Sequence, residues 1–366
     1  MINEKAVIGF IGSGGIARAH AYSLSSLKYF YNDFPEIELR AVCSATEESR
    51  TSFAKRFGFT RSYNLEEFVE DNKINTVFIL GPNKVHYEHI KAVLGMIGLK
   101  QIYLEKPVCS NQEEENAIAI LIKNHSEIKI QVGFQFLFSA TVNEMLNLWK
   151  SGKLGNPIHF DLKYWHSDYL RKEYRDRRQS RLTPAPEGGA MADIGSHSLS
   201  LLIAFLGNQL LITGGLQGGH FVDVREDSDL FSLISILDAV SGAVGTLSAS
   251  RISSGMGDYF SFELFARDGA LRYSSQSPDC FAFYTEESGI WNKKMVGSNF
   301  KPVSTFPSAH VPAGWLRSMI HAQYVFLTGN ANNEFVPDIE HGLAVQRLVT
   351  QTAEHLSVFR KMRKDR

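Results

Sequence analysis

Cysteine is scarce, with only Cys43, Cys109 and Cys280 in 366 residues. They are far apart and odd in number, which excludes a disulfide framework and lacks the short spacings of a zinc site or redox pair. The expectation is of ordinary buried thiols in a reducing cytoplasm. Charge of one sign is also missing: 38 basic against 39 acidic residues leave a formal net charge of -1. Such a balance offers no general attraction to nucleic acid or an anionic membrane, so the expected partner is a small molecule. No apolar run approaches the ~20 residues of a membrane span. The opening "MINEKAVIGFIG" holds no secretory core and leads straight into a folded element. Internal repeats and low-complexity linkers are absent too, so two halves packed together are expected. What is present, at 44% hydrophobic and 21% charged residues, is the composition of a globular chain. Its length suggests two domains, or one large domain with an embellishment.

The first third alternates short apolar runs with helical patterns. Ala6 to Ile11, Leu39 to Cys43, Thr76 to Leu80, Ile102 to Leu104 and Lys129 to Gly133 are the runs; "IARAHAYSLSSL", "EESRTSFAKRFG" and "VHYEHIKAVLGMI" are among the helical segments. This alternation predicts βαβ units and a doubly wound parallel sheet buried on both faces. From Pro157 onward strand-like runs predominate: "IHFDLKYWH", "LFSLISILDA", "GAVGTLSASR", "YFSFELFA" and "GALRYSS". They predict an antiparallel sheet, with a turn at Asp268-Gly269, a helix around Met191 to Leu206 and a helical tail from Trp315. The expected cut is 1–133 for the first domain and 134–366 for the second.

In "GFIGSGGIARAH", Gly12-x-Gly14-x-x-Ala17 fits the dinucleotide fingerprint, with Gly15 and Ile16 inside the same loop. The first glycine permits the tight turn, the second lets backbone approach a pyrophosphate, and the small third residue lets helix pack on strand. The helix amino terminus then faces the anion. The context, after a strand and before a helix, is the one this motif requires. A count of ~20 residues beyond the loop reaches Glu36 or Glu38, but the ribose-reading position is the end of the second strand, Ser44. No carboxylate stands there, whereas Ser44, Thr46, Ser49 and Arg50 are donors suited to a 2′-phosphate. NADP(H) is therefore favoured over NAD(H), although the same Ser and Thr would also serve as a helix cap.

Pro82 and Asn83 follow a strand directly and belong to the same carboxyl edge. His86 and His89 come next; with no carboxylate or cysteine to complete a metal set, they read as helix-surface or cofactor-adjacent histidines. "IYLEKPVCSN" runs an apolar strand into an acid, a base and a proline, which puts Lys106 where open α/β folds bind ligands. In "EGGAMADIGSHSLSLLIAFLG", Asp193 and His197 are four apart and share a helix face. A carboxylate beside an imidazole can fix its tautomer for general-base work, but the spacing also suits a metal or a surface ion pair.

Together, in this order, the glycine loop, Pro82-Asn83, Glu105-Lys106-Pro107 and Gly189…Asp193-x-Gly195-x-His197 resemble the Gfo/Idh/MocA oxidoreductases, over nearly the whole chain. The resemblance implies a Rossmann domain followed by a C-terminal α/β domain whose large open, mostly antiparallel sheet mediates homodimers or homotetramers. It implies that Lys106, Asp193 and His197 are catalytic, with His197 taking a proton from a substrate hydroxyl as hydride leaves for nicotinamide. It adds Glu105 and Gln135 to the cofactor contacts, Gln135 to the substrate contacts, and a cis bond before Pro107. The implied substrate is a sugar, sugar derivative or cyclitol. Two family positions differ: Leu137 replaces a common arginine, and Ser200 a common acid. Tyr164, Trp165, His166 and Arg251 end strands and are candidate substrate contacts. Alternatives within the same fold are a non-catalytic cofactor-binding sensor and a glycosidase that uses NAD transiently.

Overall fold

A computed structural model describes residues 5–218, 221, 223–225, 227–297, 300–301 and 314–364, with side chains as far as residue 355 except that of Ser180. In chain order its helices are α1 Gly15–Phe30, α2 Glu47–Phe57, α3 Leu65–Glu70, α4 His86–Leu94, α5 Gln112–Asn124, α6 Ala140–Lys150, α7 Lys172–Asp176, α8 Ser196–Leu206, α9 Trp315–Thr328 and α10 Ile339–Lys364. The chain forms two compact units. The first takes the described residues of 1–109, 113–139 and 299–342, the second the remainder.

In the first unit, β1 Ala6–Ile11, β2 Ile37–Cys43, β3 Arg61–Tyr63, β4 Thr76–Ile79, β5 Gln101–Leu104 and β6 Lys129–Val132 form one sheet in the order β3-β2-β1-β4-β5-β6. Every pairing is parallel. The strand order reverses between β1 and β4, and the crevice at such a switch point is where doubly wound folds take their ligands. The strands are near-continuous apolar runs because helices cover both faces; Ile8, Phe10, Val77, Phe78 and Tyr103 are wholly buried. Within α1, the stripe Ala17, Ala21, Leu24 and Leu27 is buried at helical spacing. Thr46 caps α2 by accepting from Ser49 N at 3.3 Å, and Gly58 ends that helix in the left-handed conformation at φ 82°.

This division departs from a single cut after residue 133, because α9 belongs to the first unit. Phe326 packs edge-on against Phe78 and Tyr103, and Gln131 donates to Ala322 O at 3.0 Å. An apolar helix far along the chain completes the core of the first sheet, a contact that no local pattern announces.

The second unit holds β7 Pro157–Trp165, β8 Leu210–Gly218, β9 Phe231–Asp238, β10 Val244–Ser250, β11 Tyr259–Ala266, β12 Gly269–Ser274, β13 Cys280–Thr285 and β14 Ile290–Met295, in the order β14-β13-β12-β11-β7-β10-β9-β8. Only the β7–β10 pairing is parallel. Strand β9 alternates strictly between buried and half-buried residues, the signature of a sheet covered on one face. On β7, Phe160, Leu162 and Tyr164 point to the covered face and His159, Asp161, Lys163 and Trp165 to the other. Register places Leu211, Leu216, Val244, Trp291 and Met295 on that other face as well, all of them exposed.

Strands β3, β8, β13 and β14 were not among the expected runs. β3 is three residues long, and β14, "IWNKKM", is exposed almost throughout, so neither carries a burial pattern to read. The expected turn at Asp268-Gly269 is made by Arg267 and Asp268 instead. Gly269 already opens β12, at a place where a Cβ would collide with the Tyr284 carbonyl.

Candidate active site

The fingerprint loop in the first unit has the properties a pyrophosphate cradle needs. Gly12 has φ 122°, and a Cβ there would come within 2.8 Å of the Leu80 backbone, so only glycine fits. At Gly14 and Gly15 a Cβ would meet nothing within 4 Å. That open space lies at the amino terminus of α1, a 16-residue helix with no acid in its first turn, so the helix dipole is uncompensated there. Ala17 is fully buried and supplies the close helix–strand packing. The residues present therefore fit a dinucleotide.

Beyond β2, a hollow of about 310 Å3 is lined by Ser13, Arg18, Thr46, Glu48, Ser49, Ser52, Phe53, Arg56 and Phe57. Ser13 Oγ and Ser49 Oγ share a hydrogen bond of 2.6 Å, which ties the glycine loop to α2. Ser44 turns to the Thr46 carbonyl at 3.4 Å. Of the expected anion donors, Thr46 and Ser49 line the hollow; Arg50 does not, and its Nε is buried. The arginines that do line it, Arg18 and Arg56, were missed. A signal existed: Ser49, Ser52, Phe53 and Arg56 fall at helical spacing on one face of α2.

At the ends of β4 and β5, buried polar contacts hold the backbone around Lys106. Glu105 is buried; its Oε1 lies 2.8 Å from His20 Nε2, and its Oε2 accepts from the Lys106 N–H at 3.3 Å. His20 is wholly buried, and the Gln323 amide nitrogen donates to its Nδ1 at 2.8 Å. With Nδ1 accepting, the ring proton sits on Nε2 and is donated to Glu105. A Cβ at Gly133 would come within 2.9 Å of Glu105 Oε1, so the glycine ending this strand makes room for the carboxylate. The Lys106-Pro107 bond is cis, as the resemblance implied. Lys106 itself is half-buried at the carboxyl edge, Pro82 is exposed nearby in the fold of the same sheet, and Gln135 opens a short 3-10 turn after β6.

His86 needs correction as a cofactor contact. It is fully buried, with Nδ1 2.9 Å from Pro107 O and Nε2 2.8 Å from Gly81 O, so it clamps the loops after β4 and β5 together. Burial pushes its pKa down. Asn83 makes a parallel tie, donating to Cys109 O at 3.2 Å.

In the second unit, Asp193 lies in a π-helical turn, Met191–Gly195, that runs directly into α8. Such turns are rare and frequent at functional sites. Its amino end is fixed by Asp229, wholly buried, whose Oδ2 accepts from Met191 N at 3.1 Å and whose Oδ1 accepts from Ser232 at 2.6 Å. Gly189, at φ 79°, leaves room for that carboxylate, since a Cβ would collide with it. Asp193 Oδ2 accepts from Arg251 Nη2 at 2.8 Å, and its Oδ1 lies 3.5 Å from Arg181 Nη1.

Arg251 was expected to touch substrate; instead it is wholly buried. Its Nη1 donates to Arg181 O at 2.6 Å, and its guanidinium stacks 4.5 Å over Tyr169, so it positions Asp193. Trp165 is also displaced from the expected role. Strand alternation sends it to the face opposite Tyr164, where it donates to Ser248 Oγ at 2.9 Å and packs on Tyr259.

Tyr164 packs against the His197 ring at 5.9 Å. Its hydroxyl is pushed well above the usual range by burial, then by the hydrogen-bonded Asp258 carboxylate. His197 is buried, and its Nδ1 is closed to solvent. His166, half-buried, accepts from Asp168 N through Nδ1 at 3.3 Å, and desolvation lowers its pKa against the pull of Asp193. Asp193, His197, Tyr164, His166, Arg181 and Asp258 thus make one polar cluster. Arg181 and Asp258 went unread because neither lies in a strand or beside the motif. Ser200, in place of the family acid, is buried in α8. Among the described residues no group of three His, Cys, Asp or Glu could hold a metal ion.

Comparison with known proteins agrees with these features. Residues 7–134 match the family description "Oxidoreductase family, NAD-binding Rossmann fold", and residues 142–272 match "GFO/IDH/MocA C-terminal domain". Glucose-6-phosphate 3-dehydrogenase of Bacillus subtilis is 26% identical over 75% of this chain and 76% of its own. Levoglucosan dehydrogenase of Pseudarthrobacter phenanthrenivorans is 25% identical over 74% of each. A structure of levoglucosan dehydrogenase in complex with NADH and levoglucosan superposes with a TM-score of 0.85 at 20% identity, covering 97% of this chain and 98% of that one.

Proposed function

Because the chain belongs to the Gfo/Idh/MocA oxidoreductase family, we propose that it is a dehydrogenase or reductase acting at a secondary alcohol or ketone of a sugar, sugar derivative or cyclitol. The observation that carries this reading is a lysine at the end of β5, its backbone held by the buried Glu105–His20 pair, in a chain that also presents the His197–Asp193 cluster. When bound, the nicotinamide ring supplies the hydride acceptor or donor. In oxidation the hydroxyl proton passes to His197 as the C–H bond gives up hydride. The Lys106 ammonium donates to the same oxygen and stabilises its developing negative charge. Asp193, oriented by Arg251, accepts from a substrate hydroxyl and fixes the ring's position. Reduction runs these proton movements backwards. Replacing Lys106 by Met should lower kcat by two or more orders of magnitude, on the order of one lost charge-stabilising donor, while cofactor titration stays near wild type. Full turnover in that variant would sink the assignment.

For the cofactor, the family places NAD chemistry in the first unit; a preference for NADP(H) is our finer proposal. It is supported by Arg18 and Arg56 beside Thr46 and Ser49 in the α2 hollow, with Glu48 the opposing charge. Fluorescence titration should show NADPH bound about 10-fold or more tighter than NADH, and Arg56→Ala should weaken NADPH alone. Equal loss for both cofactors would remove the 2′-phosphate from that hollow.

Self-association through the open sheet face is supported by exposed Leu211, Leu216 and Val244 along its β8 and β10 side. The three cysteines are buried and not joined in disulfides, which supports the cytoplasmic setting. No helix among the described residues is long and apolar enough to cross a membrane.

A further inference from the structure

Around α7 the second unit carries an unusually basic stretch, "YLRKEYRDRRQSRL", Tyr169 to Leu182. Half of its cations are neutralised on the spot. Arg171 meets Asp168 at 3.4 Å, Lys172 meets Asp176 at 2.8 Å, and the buried Arg175 meets Asp223 at 2.7 Å. The other three, Arg177, Arg178 and Arg181, line a hollow of about 360 Å3 together with Tyr174. Arg177 spends only its Nε, on the Glu173 carbonyl at 3.1 Å. Arg178 lies over the Tyr174 ring at 4.5 Å. Neither meets a carboxylate within ion-pair distance among the described residues, and Arg181 reaches one oxygen of Asp193, whose other oxygen is taken by Arg251.

The backbone holds these three cations together. Arg178 N bonds to Arg175 O and Arg181 N to Arg178 O, both at 2.9 Å, so two successive tight turns bring Arg178 and Arg181 to the same side. Tyr174 is pinned edge-on against Tyr169 at 5.0 Å, and so gives the guanidinium a fixed plate. Three like charges around one hollow repel one another, and an anion there reverses the sign of that interaction. Planar guanidinium forks match phosphate oxygens two at a time.

We propose that this hollow binds a phosphate monoester carried by the sugar or cyclitol substrate, with Arg177, Arg178 and Arg181 as its ligands. The proposal rests on the dehydrogenase reading above and narrows its substrate class. Arg181 links the two ends of such a substrate, because one guanidinium faces both the hollow and Asp193. The hollow is also large enough for a phosphate together with the carbon that bears it.

The test is a panel of paired compounds, each aldose or cyclitol with its phosphate monoester and, for aldoses, its uronate, assayed with NAD+ and NADP+. The phosphorylated member should have a kcat/KM higher by about 100-fold, on the order of two charge-assisted hydrogen bonds, with the difference in KM. In Arg177→Ala/Arg178→Ala that ratio should fall toward 1. Preference for the neutral member or the uronate, with the ratio unmoved in the variant, would overturn the phosphate site and leave the dehydrogenase standing. If no compound turns over, the dehydrogenase reading fails and 31P line broadening of inorganic phosphate decides the hollow. Broadening lost in the variant supports the site, and its absence in wild type refutes it. Arg178→Gln alone, checked for wild-type circular dichroism, replaces the double variant if that one does not fold.

Discussion

Arg251→Met tests whether Asp193 is held by one buried cation. The methionine keeps most of the length and apolar bulk of the stem, and removes two charge-assisted hydrogen bonds and the stack on Tyr169. Removing one partner of a buried ion pair costs about 3–5 kcal/mol, chiefly because the other charge is left behind. Here the remaining charge is the Asp193 side chain, 22% exposed and still 3.5 Å from Arg181. Water can reach it, so the lower end applies, about 3 kcal/mol. Asp193→Asn leaves the wholly buried guanidinium uncompensated instead, and should cost at least as much. The double variant should lose less than the sum, by about 2 kcal/mol of coupling. Urea unfolding of the four proteins, followed by aromatic fluorescence, gives the cycle. In parallel, kcat of Arg251→Met should drop 10- to 100-fold, on the order expected when a reacting group is displaced by about 1 Å. A single-variant cost under about 1 kcal/mol, or strict additivity in the cycle, would refute the clamp.

Gly189→Ala should destabilise the second unit by about 2–3 kcal/mol, since the new Cβ meets Asp229 and the residue must hold φ 79°; a midpoint unchanged in urea would show that the π turn has room to adjust. His341 is held at a pKa of about 4 by burial, beside the rings of Phe134 and Phe335. The unfolded chain takes up a proton below about 6.5 that the folded chain refuses. Stability is therefore lost as pH falls from about 6.5 toward 4, by up to about 3 kcal/mol from this group. His341→Gln should flatten the urea midpoint between pH 7.5 and 5, and an unaltered slope would exclude His341 as the source.

The local rules worked where a pattern lies within one element. β1, β2, β4, β5 and β6 are apolar runs because both faces are covered, and Gly12, Gly14 and Ala17 keep a spacing set by one turn and one helix. The same rules mislead where a side chain's role depends on a distant partner. His86 looks like a surface histidine until the Pro107 and Gly81 carbonyls are seen to enclose it, and Arg251 looks like a strand-end contact until Asp193 is found beside it.

Composition, periodicity and motif order alone determined the two-part α/β architecture, the dinucleotide loop and the positions of Lys106, Asp193 and His197, since each is written in a contiguous stretch. Tertiary structure alone decided that α9 completes the first sheet, that Trp165 turns away from Tyr164, and that Arg177, Arg178 and Arg181 surround one hollow. The first outcome depends on contacts between residues far apart in the chain, the second on which face of the β7 sheet is covered, and the third on the turns the backbone takes after α7.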